Sequence, residues 1–320
     1  MREPDGRWLA GRYGLGDVTE LIPAARGAMG EVYRLRCVIG DFAAKRYLRD
    51  ESWLPHADFS ERFAQRCRAV GVPAPAAVRD VEGQLLTRDP DGAWWQLAAW
   101  IDGVVPSPND RAAALWLATQ TGRIHGLGQA PDWDAELDPF YARCRVDWPA
   151  LADRAIAADA EWATDLHRRT QDFAELAAWS SAAAVGALIV SHNDLTVGNV
   201  LDTGSGRVLI DWDNVGPQDP ARELGVQLFD RLSDVELTSD VLAAYRAAGG
   251  VEIDWGAEVF ASAVNIRLNL LAEMVGWLRD PAAAAHHDFA SARVGSLLRT
   301  TPDLSALLHR VRAVELGSLT

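Results

Sequence analysis

At 320 residues, 49% hydrophobic and 24% charged, the chain has the composition of a soluble globular protein, long enough for one large or two ordinary domains with a substantial core. A formal net charge of −14 argues against a nucleic-acid backbone as partner and mildly favours cationic ligands. Three widely spaced cysteines, Cys37, Cys67 and Cys144, suggest neither a disulfide framework nor a C-x-x-C metal site, and no apolar run has the length of a signal sequence or membrane span, so a cytoplasmic protein is expected.

Residues 1 to 20 are polar and Gly-rich and read as a ragged lead-in, with a short strand or helix around Val18–Leu21. Next, Gly27 and Gly30 precede Val32, Arg34 and Arg36 alternating with Tyr33, Leu35 and Cys37, the pattern of a strand, a tight glycine turn and a second strand. Such a turn lets backbone N–H groups approach a phosphate. Phe42–Leu48 forms a further strand with Lys45 in its middle, where an ammonium among small apolar residues needs a partner for its charge; Arg46, on the opposite face, is expected to be solvated. Phe59, Phe63 and Cys67 recur every four residues, as on one face of a helix.

Strands around 76–80 and 84–87 follow the connector Gly71–Pro75, and Trp94–Gly103 ends the small sheet. From there the pattern turns helical. Ser107-Pro108 offers an N-cap and first-turn proline for a helix running to His125, and residues 131–147 form a connection. Helices are expected at 148–169, 170–184, 235–248, 255–278, 281–298 and 302–316. The 13 tryptophans mostly fall at core spacing, so packing is their default role, although Trp faces also hold cationic ligands of the choline type.

The densest polar chemistry lies in Val190–Asp213. An apolar strand ends at Val190; His192, Asp194 and Asn199 follow within a loop too rich in turn formers to be a helix. Asn199–Asp202 and Arg207–Ile210 then make a hairpin across Thr203-Gly204-Ser205-Gly206, which returns Asp211 beside Asn199. One carboxylate at the loop start, an amide at its end and a carboxylate across a hairpin suit Mg²⁺-dependent phosphoryl transfer, as a base and two hard oxygen ligands.

His192-Asn193-Asp194-Leu195-Thr196-Val197-Gly198-Asn199 resembles the catalytic loop of the aminoglycoside phosphotransferase and choline kinase family, and Ile210-Asp211-Trp212-Asp213 resembles its metal-binding segment. Many members have Gly at the position of Asn193 and a second His at that of Thr196. The resemblance implies an α+β, bilobal protein-kinase-like fold: a small antiparallel-sheet nucleotide lobe over 1–97, a hinge at 98–104 and a larger, mostly helical catalytic and acceptor lobe over 105–320. It implies that Asp194 orients or accepts the proton of a substrate hydroxyl, that His192 braces the loop, and that Asn199 and Asp211 hold Mg²⁺ on the phosphates of ATP or GTP, with Asp213 either a supporting residue behind them or a cap. Gly27, Gly30 and Lys45 match the family's phosphate contacts. Lys45 is expected to pair with a helix glutamate, for which Glu61 is chosen and Glu51 is the alternative. Backbone groups of Ala99, Trp100 and Ile101 are expected to meet the purine edge, and Asn265, Arg267, Asn269 and Glu273 share a helix whose face is expected to line the acceptor site. The implied reaction moves a γ-phosphoryl group to a hydroxyl of a small molecule, with a natural-product antibiotic favoured and a metabolic acceptor such as choline, a sugar or a homoserine-like alcohol as the rival. A non-catalytic nucleotide-binding pseudokinase is the alternative of a different class.

Overall fold

The computed structural model describes residues 5–27, 30–48, 54, 56–157, 160–280, 284 and 286–317. In chain order the elements are α1 (Gly6–Tyr13), β1 (Val18–Arg26), β2 (Gly30–Cys37), β3 (Gly40–Tyr47), α2 (Ala57–Ala69), β4 (Ala77–Val78), β5 (Leu86–Arg88), β6 (Trp94–Ala99), α3 (Arg111–His125), α4 (Pro139–Ala142), α5 (Trp148–Ala157), α6 (Ala163–Arg168), α7 (Thr170–Ala182), β7 (Ile189–Ser191), β8 (Val200–Asp202), β9 (Arg207–Leu209), β10 (Gly216–Gln218), α8 (Pro220–Leu228), α9 (Val235–Ala247), α10 (Ala261–Trp277), α11 (His287–Thr300) and α12 (Leu304–Gly317). They fall into two compact units: residues 1–127 with 192–216, and 128–191 with 217–320. The first unit takes in the expected hinge at 98–104, α3 and the 192–216 segment together with the sheet.

The first unit is built on one antiparallel sheet in the order β1-β2-β3-β6-β4, with β5 also on β6. The register sets Val32, Lys45 and Gln96 side by side across its three central strands. The lead-in is not ragged as expected: residues 6–13 are helical. The Asp5 carboxylate accepts from the Arg7 and Trp8 N–H groups, and α1 buries Leu9, Ala10 and Tyr13 against Leu35, Ala44, Trp95 and Leu97 of the sheet. Arg46 is also not solvated. It is 7% exposed and lies over the Trp95 ring at 5.8 Å, because the sheet face opposite Lys45 is the one that α1 covers. The cap of α3 is Asp110, which accepts from Ala113 N–H; Ser107 lies in the turn before it.

The second unit is helical around α10, which packs against α4, α7, α8 and α11. Among the described residues, 257–277 form one helical stretch long and apolar enough to cross a membrane by length and composition; it is mostly buried inside the protein, as befits a core helix. Its polar residues are staples. Asn265 is fully buried between Ser180 Oγ and Tyr141 O, Asn269 donates to Phe140 O and Arg143 O, and Arg267 pairs with Asp230 and Thr300. The face expected to line an acceptor pocket is therefore spent largely on holding α4 and neighbouring turns. The expected helix over 148–169 is divided into α5 and α6, and α11 begins at His287; residues 158–159, 281–283 and 285 lie outside the described residues.

Candidate active site

The site's floor is the segment 210–214, and Trp212 fixes it. This indole is 9% exposed, donates from Nε1 to Leu209 O, and packs against His192 at 4.7 Å and against Phe63 of α2 at 6.4 Å between ring centroids. With Trp212 locked inward, the residues on either side, Asp211 and Asp213, both reach Lys45. Asp211 adopts φ 62°, a left-handed conformation rare outside glycine. The only other non-glycine with positive φ among the described residues is Asn193, at φ 66°. Asn193 stands where the family commonly has glycine, and asparagine is one of the residues that best tolerates this region. Its Nδ2 donates to Asn214 O and so ties the loop to the floor.

His192 is fully buried and joins the same two segments. Its Nδ1 accepts from Asp194 N–H at 3.2 Å, so the proton sits on Nε2, which donates to Ile210 O at 3.1 Å. With both nitrogens occupied, its role is to brace the loop. Asn199 returns to the loop start, its Nδ2 donating to Asp194 O at 2.9 Å and to Asp194 Oδ2 at 2.7 Å. That pair of bonds fixes the Asp194 carboxylate and directs Asn199 Oδ1 away from it. The β8–β9 hairpin pairs Val200 with Leu209, and Ile210 N–H donates to Asn199 O, bringing the amide beside Asp211.

Lys45 reaches this floor from β3. Its Nζ lies 2.8 Å from Asp211 Oδ1 and 2.5 Å from Asp213 Oδ2. Burial alone would depress the ammonium, but the two carboxylates outweigh it and raise the Lys45 pKa. Burial pushes the Asp211 carboxyl up, and the charge and hydrogen bond of Lys45 more than offset it, so Asp211 lies below the usual range. Asp213 lies above that range, because burial and the neighbouring charge of Asp211 exceed what Lys45 and Tyr47 return.

Glu61 does not pair with Lys45. Its carboxylate is engaged by Arg68, which follows it by two turns of α2, and accepts from Ala77 N–H, tying α2 to β4. The alternative, Glu51, lies outside the described residues. Gly27 donates its N–H to Gly30 O; residues 28–29 lie outside the described residues. Space at Gly27 would admit a side chain, whereas a Cβ at Gly30 would stand 2.6 Å from Arg46 O and 3.5 Å from Lys45 Cε, so glycine there keeps the β2 start clear above the lysine. Along the expected hinge, Ala99 N–H donates to Ala76 O and Trp100 N–H to Asp41 O. Those two donors are spent, which leaves the Ile101 N–H as the one of the three without a hydrogen bond among the described residues. Tyr47 and Gln96 escaped the sequence reading. The signal for Tyr47 was present, since it follows Lys45 by two on a strand and so shares its face.

The donors fit a hard divalent cation. An amide oxygen at Asn199 has no hydrogen-bond partner among the described residues, and the Asp211 carboxylate, one residue beyond the Ile210 N–H that donates to Asn199 O, is 38% exposed. Among the described residues no group of three or more His, Cys, Asp and Glu suits a metal. Mg²⁺ does not need one, because it keeps waters and substrate phosphates among its ligands. Asn199 and Asp211 would hold the ion, and its charge would neutralise that developing on the transferred phosphoryl group.

A strand lysine above a paired carboxylate floor, with a carboxylate and an amide on the adjoining loop, is the arrangement of a kinase-type phosphotransfer site. Solved structures carry the same fold. A microcompartment-associated aminopropanol kinase superposes with a TM-score of 0.63 at 18% identity over 96% of this chain and 100% of that one. A spectinomycin phosphotransferase in complex with ADP and spectinomycin gives 0.60 at 12% identity over 96% of each chain, and an aminoglycoside phosphotransferase from Alicyclobacillus acidocaldarius gives 0.58 at 16% over 94% and 95%. No curated protein matches the sequence. The model of the phosphotransferase enzyme family matches residues 20–259, three quarters of the length, and the chain belongs to that family. It is an enzyme of phosphoryl transfer with a protein-kinase-like fold.

Proposed function

We propose that the protein uses Mg²⁺ and ATP or GTP to phosphorylate a hydroxyl of a small molecule, and that the acceptor is a natural-product antibiotic. The observation that carries the reading is the Asn199-held carboxylate of Asp194, on a loop whose Asn199 O accepts from Ile210 N–H of the segment that pairs Asp211 with Lys45. Asp194 orients the acceptor hydroxyl and takes its proton as the phosphoryl group leaves the nucleotide; Lys45 meets the phosphates. Because the transition state is loose, positioning and charge neutralisation carry most of the rate. Asp194→Ala should lower turnover roughly 10²–10⁴-fold, the usual loss for a positioned base. Near-full activity in that variant contradicts the assignment.

The antibiotic acceptor is supported by the antibiotic kinases among the structural relatives and, weakly, by the acidic surface, which suits polycationic substrates. The aminopropanol kinase keeps a metabolic amino alcohol as the second reading. Growth with and without the gene, across antibiotic classes, separates them: protection against one class supports the first, and uniform sensitivity supports the second.

A further inference from the structure

We infer that Asp213, backed by Tyr47, is the residue that positions Lys45 for the nucleotide phosphates, in the place expected of a carboxylate on α2. The inference rests on the proposed function and names how this chain builds that part of the site.

Four observations converge on it. Lys45 touches two carboxylates, and one of them, Asp211, is the residue fitted to hold the metal. Once Asp211 turns to a cation, Asp213 is the carboxylate left to hold the ammonium. Second, Asp213 is built as an anchor: its side chain is 19% exposed against 38% for Asp211, and the locked Trp212 beside it fixes its backbone. Third, the Tyr47 hydroxyl lies 3.0 Å from Asp213 Oδ2, the oxygen that Lys45 uses, and 2.7 Å from Gln96 Oε1. Tyr47 is 5% exposed and shares the β3 face of Lys45, whose Nζ stands 5.6 Å from the Tyr47 ring centroid. Gln96 is the cross-strand neighbour of Lys45, so the row of the sheet that carries the lysine also meets the hydroxyl that reaches the carboxylate. Fourth, Glu61 is committed elsewhere, to Arg68 and the Ala77 N–H.

A positioning carboxylate and a metal ligand have different signatures. Nucleotide affinity of the purified full chain, measured by calorimetry with and without Mg²⁺, is compared with the Mg²⁺ concentration at half-maximal activity. Asp213→Asn should weaken ATP binding about 10- to 100-fold, the scale of a charge-assisted bond lost from a lysine, and Tyr47→Phe several-fold, with the Mg²⁺ requirement of both unmoved. In a Lys45→Ala background neither substitution should weaken ATP binding further, because the lysine they position is gone. Glu61→Gln should lower the melting temperature and leave ATP affinity near that of wild type. Wild-type ATP affinity in both Asp213→Asn and Tyr47→Phe overturns the inference, as does a raised Mg²⁺ requirement in Asp213→Asn with ATP affinity intact, or a loss of ATP affinity confined to Glu61→Gln. Those results leave the proposed function standing. A wild-type chain that binds no nucleotide removes both together.

Discussion

Asn193 and Asp211, the two non-glycine residues with positive φ among those described, both belong to the site, where strain is most often stored. Asn193→Gly frees the backbone and loses the side-chain bond to Asn214 O, a cost of about 1 kcal/mol. Asn193→Ala loses the same bond and keeps a Cβ in the left-handed region without the polar side chain by which asparagine tolerates it, so it should cost more than the glycine variant. Chemical denaturation of the two variants should rank them in that order; equal midpoints contradict the strain argument. At this scale the sequence was informative about identity and less so about pairing. Asp194, Asn199 and Asp211 were legible because a turn-rich loop and a hairpin bring them together whatever surrounds them. The partner of Lys45 was not legible. It depends on whether α2 or the 210–214 segment presents the nearer carboxylate, and that is set by Trp212 and by the capture of Glu61 by Arg68, both tertiary effects.

Elements follow the same division. Strands β1 to β3 and helix α2 were readable from alternation and from the four-residue recurrence of Phe59, Phe63 and Cys67, whereas α1 was missed although Asp5 caps it and Gly14 ends it, because eight residues with two glycines carry a weak period. The divided helix over 148–169 and the structural roles of Asn265 and Asn269 depend on packing partners far away in sequence. Close packing also makes one glycine indispensable. A Cβ at Gly225 of α8 would stand 2.0 Å from Val259 O, where the backbone of residues 257–260 crosses the helix. Gly225→Ala should cost at least the 1–3 kcal/mol typical of overpacking, seen as a lowered melting temperature; an unchanged transition means that the crossing is looser than described.

The molecule as a whole should be sensitive to alkali. Burial raises the pKa of Tyr13, Tyr33, Tyr47 and Tyr245, four of the five tyrosines, and pushes the Cys144 thiol up to about 11; Asp213 and Asp211 raise Lys45 against its burial. All these folded-state values lie above the unfolded ones, so the stability each contributes is complete below the unfolded pKa and is lost as pH climbs toward the folded one. The denaturation midpoint should therefore begin to fall near pH 8.5, where the unfolded thiol ionises, and fall more steeply above about pH 10, where the unfolded tyrosines and lysine do; a flat profile through about pH 10.5 contradicts these burial assignments. The account's central claim is that Asp194, Asn199, Asp211 and Lys45 form a phosphotransfer site for a small hydroxyl compound. Its most direct test is acceptor-dependent release of ADP or GDP in the presence of Mg²⁺, over a panel of antibiotics and amino alcohols, with Asp194→Ala in parallel. The account predicts release with at least one acceptor that falls roughly 10²–10⁴-fold in the variant; release that survives the substitution undiminished contradicts it.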